Sequence, residues 1–288
     1  MFDYSFKPTK ERKLQLFADY GFKYIHWCDD WQSEILYTKQ KVEHSRRLLE
    51  SCGLQCVDVH ACETETILID AEERDALNKY IQLLQNRIEF CSAVGGDAVV
   101  IHTPSVMEWG GDYVEYTKPN IELYRQLLQS QGGSERLSWK LDRSLQVFES
   151  VKPLCQDLGV VLAVENCYPF DEKSLEYYFE RYPPEFVGFC FDSGHAHLNE
   201  NLDLLLKFKD RLKALHLHDN RGNDDDHQPP FWGTISWKRV MQWIERSGYI
   251  KPINFEVTHD PRFFEGGMEE FLNYTVRSIQ KALALLGS

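Results

Sequence analysis

The sequence predicts an α/β chain folded as a single (β/α)8 TIM barrel domain spanning residues 1–288, and three observations predict it. Eight short apolar or alternating runs recur, most are separated by segments of helical periodicity, and polar residues collect where the later runs end. Such alternation gives a parallel sheet with crossover helices, either open and doubly wound or closed, and a count of eight favours closure. No linker, internal repeat or low-complexity tract divides the chain.

In order along the chain, FDYSF (2–6) is a short first strand and KYIHW (23–27) the second. KQKVEHSRRLLESCG (39–53) has helical spacing and closes at a glycine, as helices commonly do. CVDVH (56–60) is the third strand, ERDALNKYIQLLQNRIEFCSAVGG (73–96) the helix after it and AVVIH (98–102) the fourth strand. Residues 108–135, EWGGDYVEYTKPNIELYRQLLQSQGGSE, exceed a usual βα loop and carry glycines and aromatics, which suits a lid or rim over a site. LSWKLDRSLQVFESVKPLCQDLG (137–159) returns as a helix to the strand VVLAVEN (160–166). VGFCFD (187–192), KALHLHD (213–219) and INFEV (253–257) complete the strands, and PPFWGTISW (229–237) reads as a rigid turn into a helix beginning near Ser236.

A hydrophobic fraction of 43% and a charged fraction of 27% are those of a globular chain. The formal net charge of −13 repels phosphate backbones, so nucleic acid is not an expected partner. The start MFDYSFKPTKERKL has no apolar h-region, and no later run approaches about 18 apolar residues, which predicts a cytoplasmic protein without a membrane partner. None of the eight cysteines forms a CxxC pair, so buried thiols are expected rather than disulfides or a thiolate zinc site.

Catalytic groups in an α/β barrel come from the C-terminal ends of its strands. Here six consecutive runs end in histidine or carboxylate: His60, His102, Glu165, Asp192 with His195 just beyond, His216 with His218, and Glu256. Period-two spacing puts Ala98, Val100 and His102 on one face, and likewise Val161, Ala163 and Glu165, and Gly188, Cys190 and Asp192. A carboxylate buried at the end of an apolar strand needs a partner or a cation, so a divalent metal ion is the expected cofactor. His26, His44 and His259 are read as hydrogen-bonded structural histidines. Asp219, Asp224 and Asp226 are read as site residues or turn formers, and Asp58 as pointing inward beside His60 or ion-paired across the barrel.

These residues resemble a known family. ENCYPF (165–170), FDSGHAHL (191–198), HLHDNRGNDDDHQPPFWGTISW (216–237) and FEV (255–257), with VDVH and VVIH before them, are similar to motifs of the xylose isomerase-like TIM barrel superfamily over nearly the whole chain. That superfamily includes sugar isomerases and epimerases, inosose dehydratase and endonuclease IV. The resemblance to the epimerases implies one divalent ion held by Glu165, Asp192, His216 and Glu256. His216 is preferred to His218 because Asp219 stands three positions after it, leaving His218 to line the pocket or support the ligands. The resemblance to endonuclease IV implies up to three ions on His60, His102, Glu165, Asp192, His195, His216, Asp225, His227 and Glu256. The chain departs from that nuclease where the glycine-rich segment after its ENTAG motif reads ENCYPFDEK, where its cysteine-histidine motif reads DSGHAHL, and in lacking a dense Arg and Lys cluster on the rim loops.

The expected activity is therefore isomerisation or epimerisation of a sugar or sugar phosphate. Glu165 and Glu256, on different strands, would remove and return a proton beside a carbonyl while the ion stabilises charge on oxygen. His195 and His218 would orient hydroxyls, Arg221 would meet a phosphate or carboxylate, and Trp109 with Phe231 and Trp232 would wall a sugar face. The nitrogen and oxygen donors suit Mn, Mg, Co, Zn or Fe, one ion for proton transfer and up to three for hydrolysis. A multinuclear phosphoesterase and a sugar or inosose dehydratase are the alternatives, and the superfamily also implies a homo-oligomer associating through helix faces.

Overall fold

The computed structural model describes residues 9–64, 69–106, 117–167 and 171–287. The elements run α1 (Lys10–Asp19), β1 (Tyr24–Trp27), α2 (Lys39–Cys52), β2 (Gln55–His60), α3 (Arg74–Ala93), β3 (Ala98–His102), α4 (Lys118–Gln129), α5 (Gln131–Leu158), β4 (Val161–Glu165), α6 (Asp171–Phe179), β5 (Val187–Asp192), α7 (Ser193–Leu198), α8 (Leu204–Lys207), β6 (Leu212–His216), α9 (Trp237–Ser247) and α10 (Gly267–Leu283). The six strands form one parallel sheet in the order β1-β2-β3-β4-β5-β6. No helix among the described residues is long and apolar enough to cross a membrane.

Strand alternation separates two apolar layers. Ala98, Val100, Ala163, Cys190 and Ala214 make a small cluster inside the curved sheet, and these short side chains suit a narrow barrel interior. Val99, Ile101, Leu162, Val164, Phe189, Phe191 and Leu215 point outward into the larger core shared with the helices. Helix ends follow local chemistry: Thr38 accepts from Lys41 N–H at the start of α2, and α2 stops at Gly53 with φ +66, where a β-carbon would be strained.

The sheet curls until side chains at its two ends meet. Residues 253–257 run beside the continuation of β6, Leu217 N–H donating to Asn254 O (3.2 Å) and Glu256 N–H to Leu217 O (3.0 Å). Asn254 Nδ2 in turn donates to Asp58 Oδ2 of β2 (3.3 Å), so the last expected strand reaches across to the beginning of the sheet. The architecture is the α/β TIM barrel that the alternation predicts. INFEV (253–257) makes these two ladder bonds without becoming a regular strand, and Pro252 before it has no N–H to offer a ladder. FDYSF (2–6) lies outside the described residues.

The segment 108–135 departs from the expected rim loop. Residues 107–116 lie outside the described residues, but 118–129 are α4 and 131–135 open α5. The reason is legible afterwards: Pro119 sits in the first turn of α4, Ile121 and Tyr124 face the core at helical spacing, and Ser130 accepts from Gly133 N–H (3.1 Å) to start α5.

Candidate metal centre

Parallel register brings the polar strand ends to one level. His102 of β3 pairs with Glu165 of β4, and Asp192 of β5 with His216 of β6. Glu165 is only 1% exposed and is ringed by histidines: its Oε2 lies 3.4 Å from His216 Nδ1, 3.5 Å from His102 Nε2 and 3.7 Å from His60 Nε2, and its Oε1 lies 3.3 Å from His195 Nδ1. His216 Nδ1 is also 2.9 Å from Glu256 Oε2, so the two glutamates flank one ring nitrogen.

His60 and His102 reveal what the site demands. His60 Nδ1 faces Ala61 O (3.0 Å) and His102 Nδ1 faces Glu63 Oε2 (2.9 Å), so each ring donates outward through Nδ1–H. Their Nε2 atoms are left facing each other at 3.1 Å beside Glu165. Two lone pairs at that distance repel unless a cation, a proton or a metal ion, lies with them.

A second group forms where α7 meets the loop after β6. His195, His218, Asp225 and His227 place ligand atoms within 4.8 Å of one another. Asp225 Oδ2 is 3.0 Å from His227 Nε2 and 3.3 Å from His195 Nε2, and its Oδ1 is 3.6 Å from His218 Nε2. The rings of His218 and His227 stack at 4.0 Å. Asp192 Oδ1 caps α7 through His195 N–H (2.7 Å) and also lies 3.0 Å from His218 Nε2.

The loop carrying Asp225 and His227 is pinned at several points. Asp219 and Gln228 exchange backbone hydrogen bonds, Thr258 N–H donates to His227 O (2.8 Å), and His227 itself turns through φ +48. Asp219 accepts from Ile235 N–H (3.1 Å) and Trp237 Nε1–H (2.7 Å), which joins the loop to the start of α9. Gly194 makes room on the other side, since a methyl there would lie 1.8 Å from His218 Cε1.

Electrostatics follow from burial and charge together. Burial opposes ionisation of Glu165, yet His216, His102 and His195 hold its carboxyl well below the usual range. Glu256 is held down against burial in the same way by His216, His26 and His227. Burial would lower His102 and His216 too, but Cys167 and Glu63 raise the first and Cys190, Glu256 and Glu165 the second. His60 is lowered, chiefly by burial. His227 rises to about 10 against burial because Asp225 faces it.

The donors fit a bound cation. Glu165 Oε2, Asp192 Oδ2, Asp225 Oδ1 and the ring nitrogens of His216 and His218 are buried without a hydrogen bond, although several lie about 3 Å from an opposite charge. Native interiors rarely leave so many polar atoms unpaired unless an ion or water satisfies them. Groups able to hold a metal ion are thus present: His60–His102–Glu165, Glu165–Cys190–His216 and His195–His218–Asp225–His227.

The family profile described as Xylose isomerase-like TIM barrel matches residues 14–278. The chain belongs to the xylose isomerase-like TIM barrel family. Uncharacterized protein y4fM of Sinorhizobium fredii is 31% identical over 285 residues, which cover 88% of this chain and 85% of that protein. A D-psicose 3-epimerase crystallised in the presence of D-fructose has a TM-score of 0.73 at 12% identity, over 98% of this chain and 95% of its own. The IOLI protein with a binding zinc atom has a TM-score of 0.66 at 14% identity, over 98% and 95%. At these identities the structural likeness is one of fold.

Against the xylose isomerase-like pattern, Glu165, His216 and Glu256 come together, while Asp192 turns towards His218 and His195. His218 shares a face with His216 by period-two spacing and sits buried among possible ligands, beside Asp192 Oδ1 and Asp225 Oδ1. Arg221 is exposed and stacks 4.1 Å over the Trp232 ring, and Trp109 lies outside the described residues. Three neighbours escaped the sequence reading. Cys190 and Cys167 contact the centre, and burial pushes both thiol pKa values up. Glu63 orients His102, a role that no spacing in the sequence announced.

Proposed function

We propose that this chain is a divalent-metal-dependent isomerase or epimerase that acts on a sugar or sugar phosphate by proton abstraction beside a carbonyl. The observation that carries this reading is the pair of strand-end carboxylates, Glu165 and Glu256, on either side of His216 Nδ1 (3.4 and 2.9 Å). Glu165, Asp192, His216 and Glu256 would hold the ion, whether Mn, Mg, Co, Zn or Fe, and the bound ion would supply Lewis-acid stabilisation of developing oxygen charge. The side chain of Glu256 is 19% exposed against 2% for Glu165, which makes Glu256 the carboxylate an entering substrate meets first. One glutamate, ionised, would take the proton, and the other, carrying a proton gained from solvent or a neighbouring histidine, would return one from the opposite side, while the first passes its proton on to solvent. His195 and His218 orient hydroxyls, and Arg221 on its Trp232 platform meets a phosphate or carboxylate at the mouth. The D-psicose 3-epimerase and zinc-binding neighbours support the substrate class and the cofactor. The setting is a single-domain cytoplasmic enzyme that associates as a homo-oligomer.

The test is solvent exchange. Metal-loaded protein in D2O, offered ketoses, aldoses, inososes and their phosphates, is expected to place deuterium at one C–H position. Glu165→Gln and Glu256→Gln are each expected to slow that exchange by roughly 10²- to 10⁴-fold. No exchange over the whole panel, with metal occupancy verified by elemental analysis, would sink the reading.

A multinuclear phosphoesterase is the second reading, favoured by the separate gathering of His195, His218, Asp225 and His227. It is expected to show two or three ions per chain and to cleave abasic-site DNA or simple phosphodiesters.

A further inference from the structure

The roles above leave one buried pair unused. His26 of β1 and Asp58 of β2 lie on neighbouring strands that pair in register, His26 beside Asp58. His26 Nδ1 hydrogen-bonds Asp58 Oδ1, and Asp58 is fixed from its other oxygen by Asn254 Nδ2 at 3.3 Å. The His26 side chain is 7% exposed, and its Nε2 is buried without a hydrogen bond. That nitrogen faces the candidate centre: it is 3.8 Å from Glu256 Oε1, and the ring centroid stands 4.2 Å from that of His216. His26, Asp58 and His216 place ligand atoms within 4.8 Å of one another, and His26 does the same with Cys28 and Glu256.

A purely structural histidine would bond at both nitrogens or turn one to solvent. Here Asp58 engages Nδ1 and leaves Nε2 turned towards Glu256 and His216, the arrangement in which a carboxylate sets the tautomer and aim of a metal-binding imidazole. We infer that His26 is an additional protein ligand to the ion proposed for His216 and Glu256, with Asp58 as the residue that positions it. This inference rests on the metal-centre reading and adds to it a nitrogen donor from the first strand of the sheet. Chemically, a further neutral donor favours a borderline transition ion such as Zn, Co or Fe over Mg, which prefers oxygen and water.

The experiment uses the full chain loaded with Co²⁺, whose visible absorption reports the number and type of donors, together with chelator competition for affinity. Wild type, His26→Gln, His26→Gly and Asp58→Asn are compared, with thermal melts of the metal-free forms as a check on folding. Loss of His26 is expected to weaken Co²⁺ binding by roughly 10- to 100-fold and to change the spectrum. Asp58→Asn is expected to weaken binding less and leave the band shape closer to wild type. Added imidazole is expected to restore the wild-type spectrum in His26→Gly, a rescue that a merely structural role would not produce. If wild type binds Co²⁺ and the folded His26 variants match it in affinity and spectrum, His26 is not a ligand while the centre stands. If wild type takes up no Co²⁺, Zn²⁺ or Mn²⁺, the metal-centre reading itself fails.

Discussion

At Glu165 two carboxylate oxygens face four imidazoles in a space closed to water. Burying that charge costs several kcal/mol unless positive charge accompanies it, so the histidines around it must share protons or an ion. Gly194 shows how narrow the tolerances are. In Gly194→Ala the new methyl would overlap the His218 ring, so we expect that ring to be displaced, the Asp225–His227 group to lose metal in elemental analysis, and the fold to lose about 1–3 kcal/mol in denaturant titration. Most of these residues were legible as strand-end polar groups because each closes an apolar run. Glu63 and the thiols of Cys167 and Cys190 were not, since what matters in them is which atom they face across the barrel. His26 was read as structural for the same reason: a lone histidine within KYIHW says nothing about Asp58, 32 residues away.

Among the elements, the loop from Asp219 to Gln228 holds its two candidate ligands by backbone bonds at both ends. Asp225→Ala with His227→Ala is expected to reduce metal per chain while leaving the melting temperature of the metal-free protein within a few degrees, because neither side chain belongs to the apolar core. Asp219→Ala is the contrasting case. It removes the acceptor of Ile235 N–H and Trp237 Nε1–H, both buried, so a loss of about 1–3 kcal/mol in stability is expected, with the helix start at Trp237 loosened in hydrogen exchange. Helix α9 itself followed from its sequence, with Ser236 before it and Trp237, Val240, Met241 and Ile244 on one buried face. Helix α4 did not, because the glycines and aromatics before it drew the whole stretch into a rim loop, whereas Pro119 and the Ile121–Tyr124 spacing carried the decisive signal.

For the molecule as a whole, the acidic balance and the concentration of carboxylates at one end of the barrel would make binding of the proposed cation a stability term. An ion that binds the folded chain and not the unfolded one raises the melting temperature by mass action. Chelation is therefore expected to lower it measurably in calorimetry, and readdition of the ion to restore it. Imidazoles must give up protons to serve as ligands, and His102, His216 and His227 hold theirs more tightly than a free imidazole. Acidification is therefore expected to release the ion from a higher pH than free imidazole would, and to erase that difference.

Alternation of apolar runs with helical segments specified the parallel sheet, its two faces and the end at which polar residues gather, and the count of eight runs favoured closing it into a barrel. Those features depend on local periodicity, which a linear chain carries in full. Which nitrogen faces which oxygen depends on register between strands far apart in the chain and on curvature that brings β1 and β2 against residues 253–257. The division of the histidines and carboxylates into groups, the place of His218 beside Asp192, and the aim of His26 towards Glu256 therefore emerged only when the sheet closed, because distances of a few ångströms across a barrel leave no trace in sequence spacing.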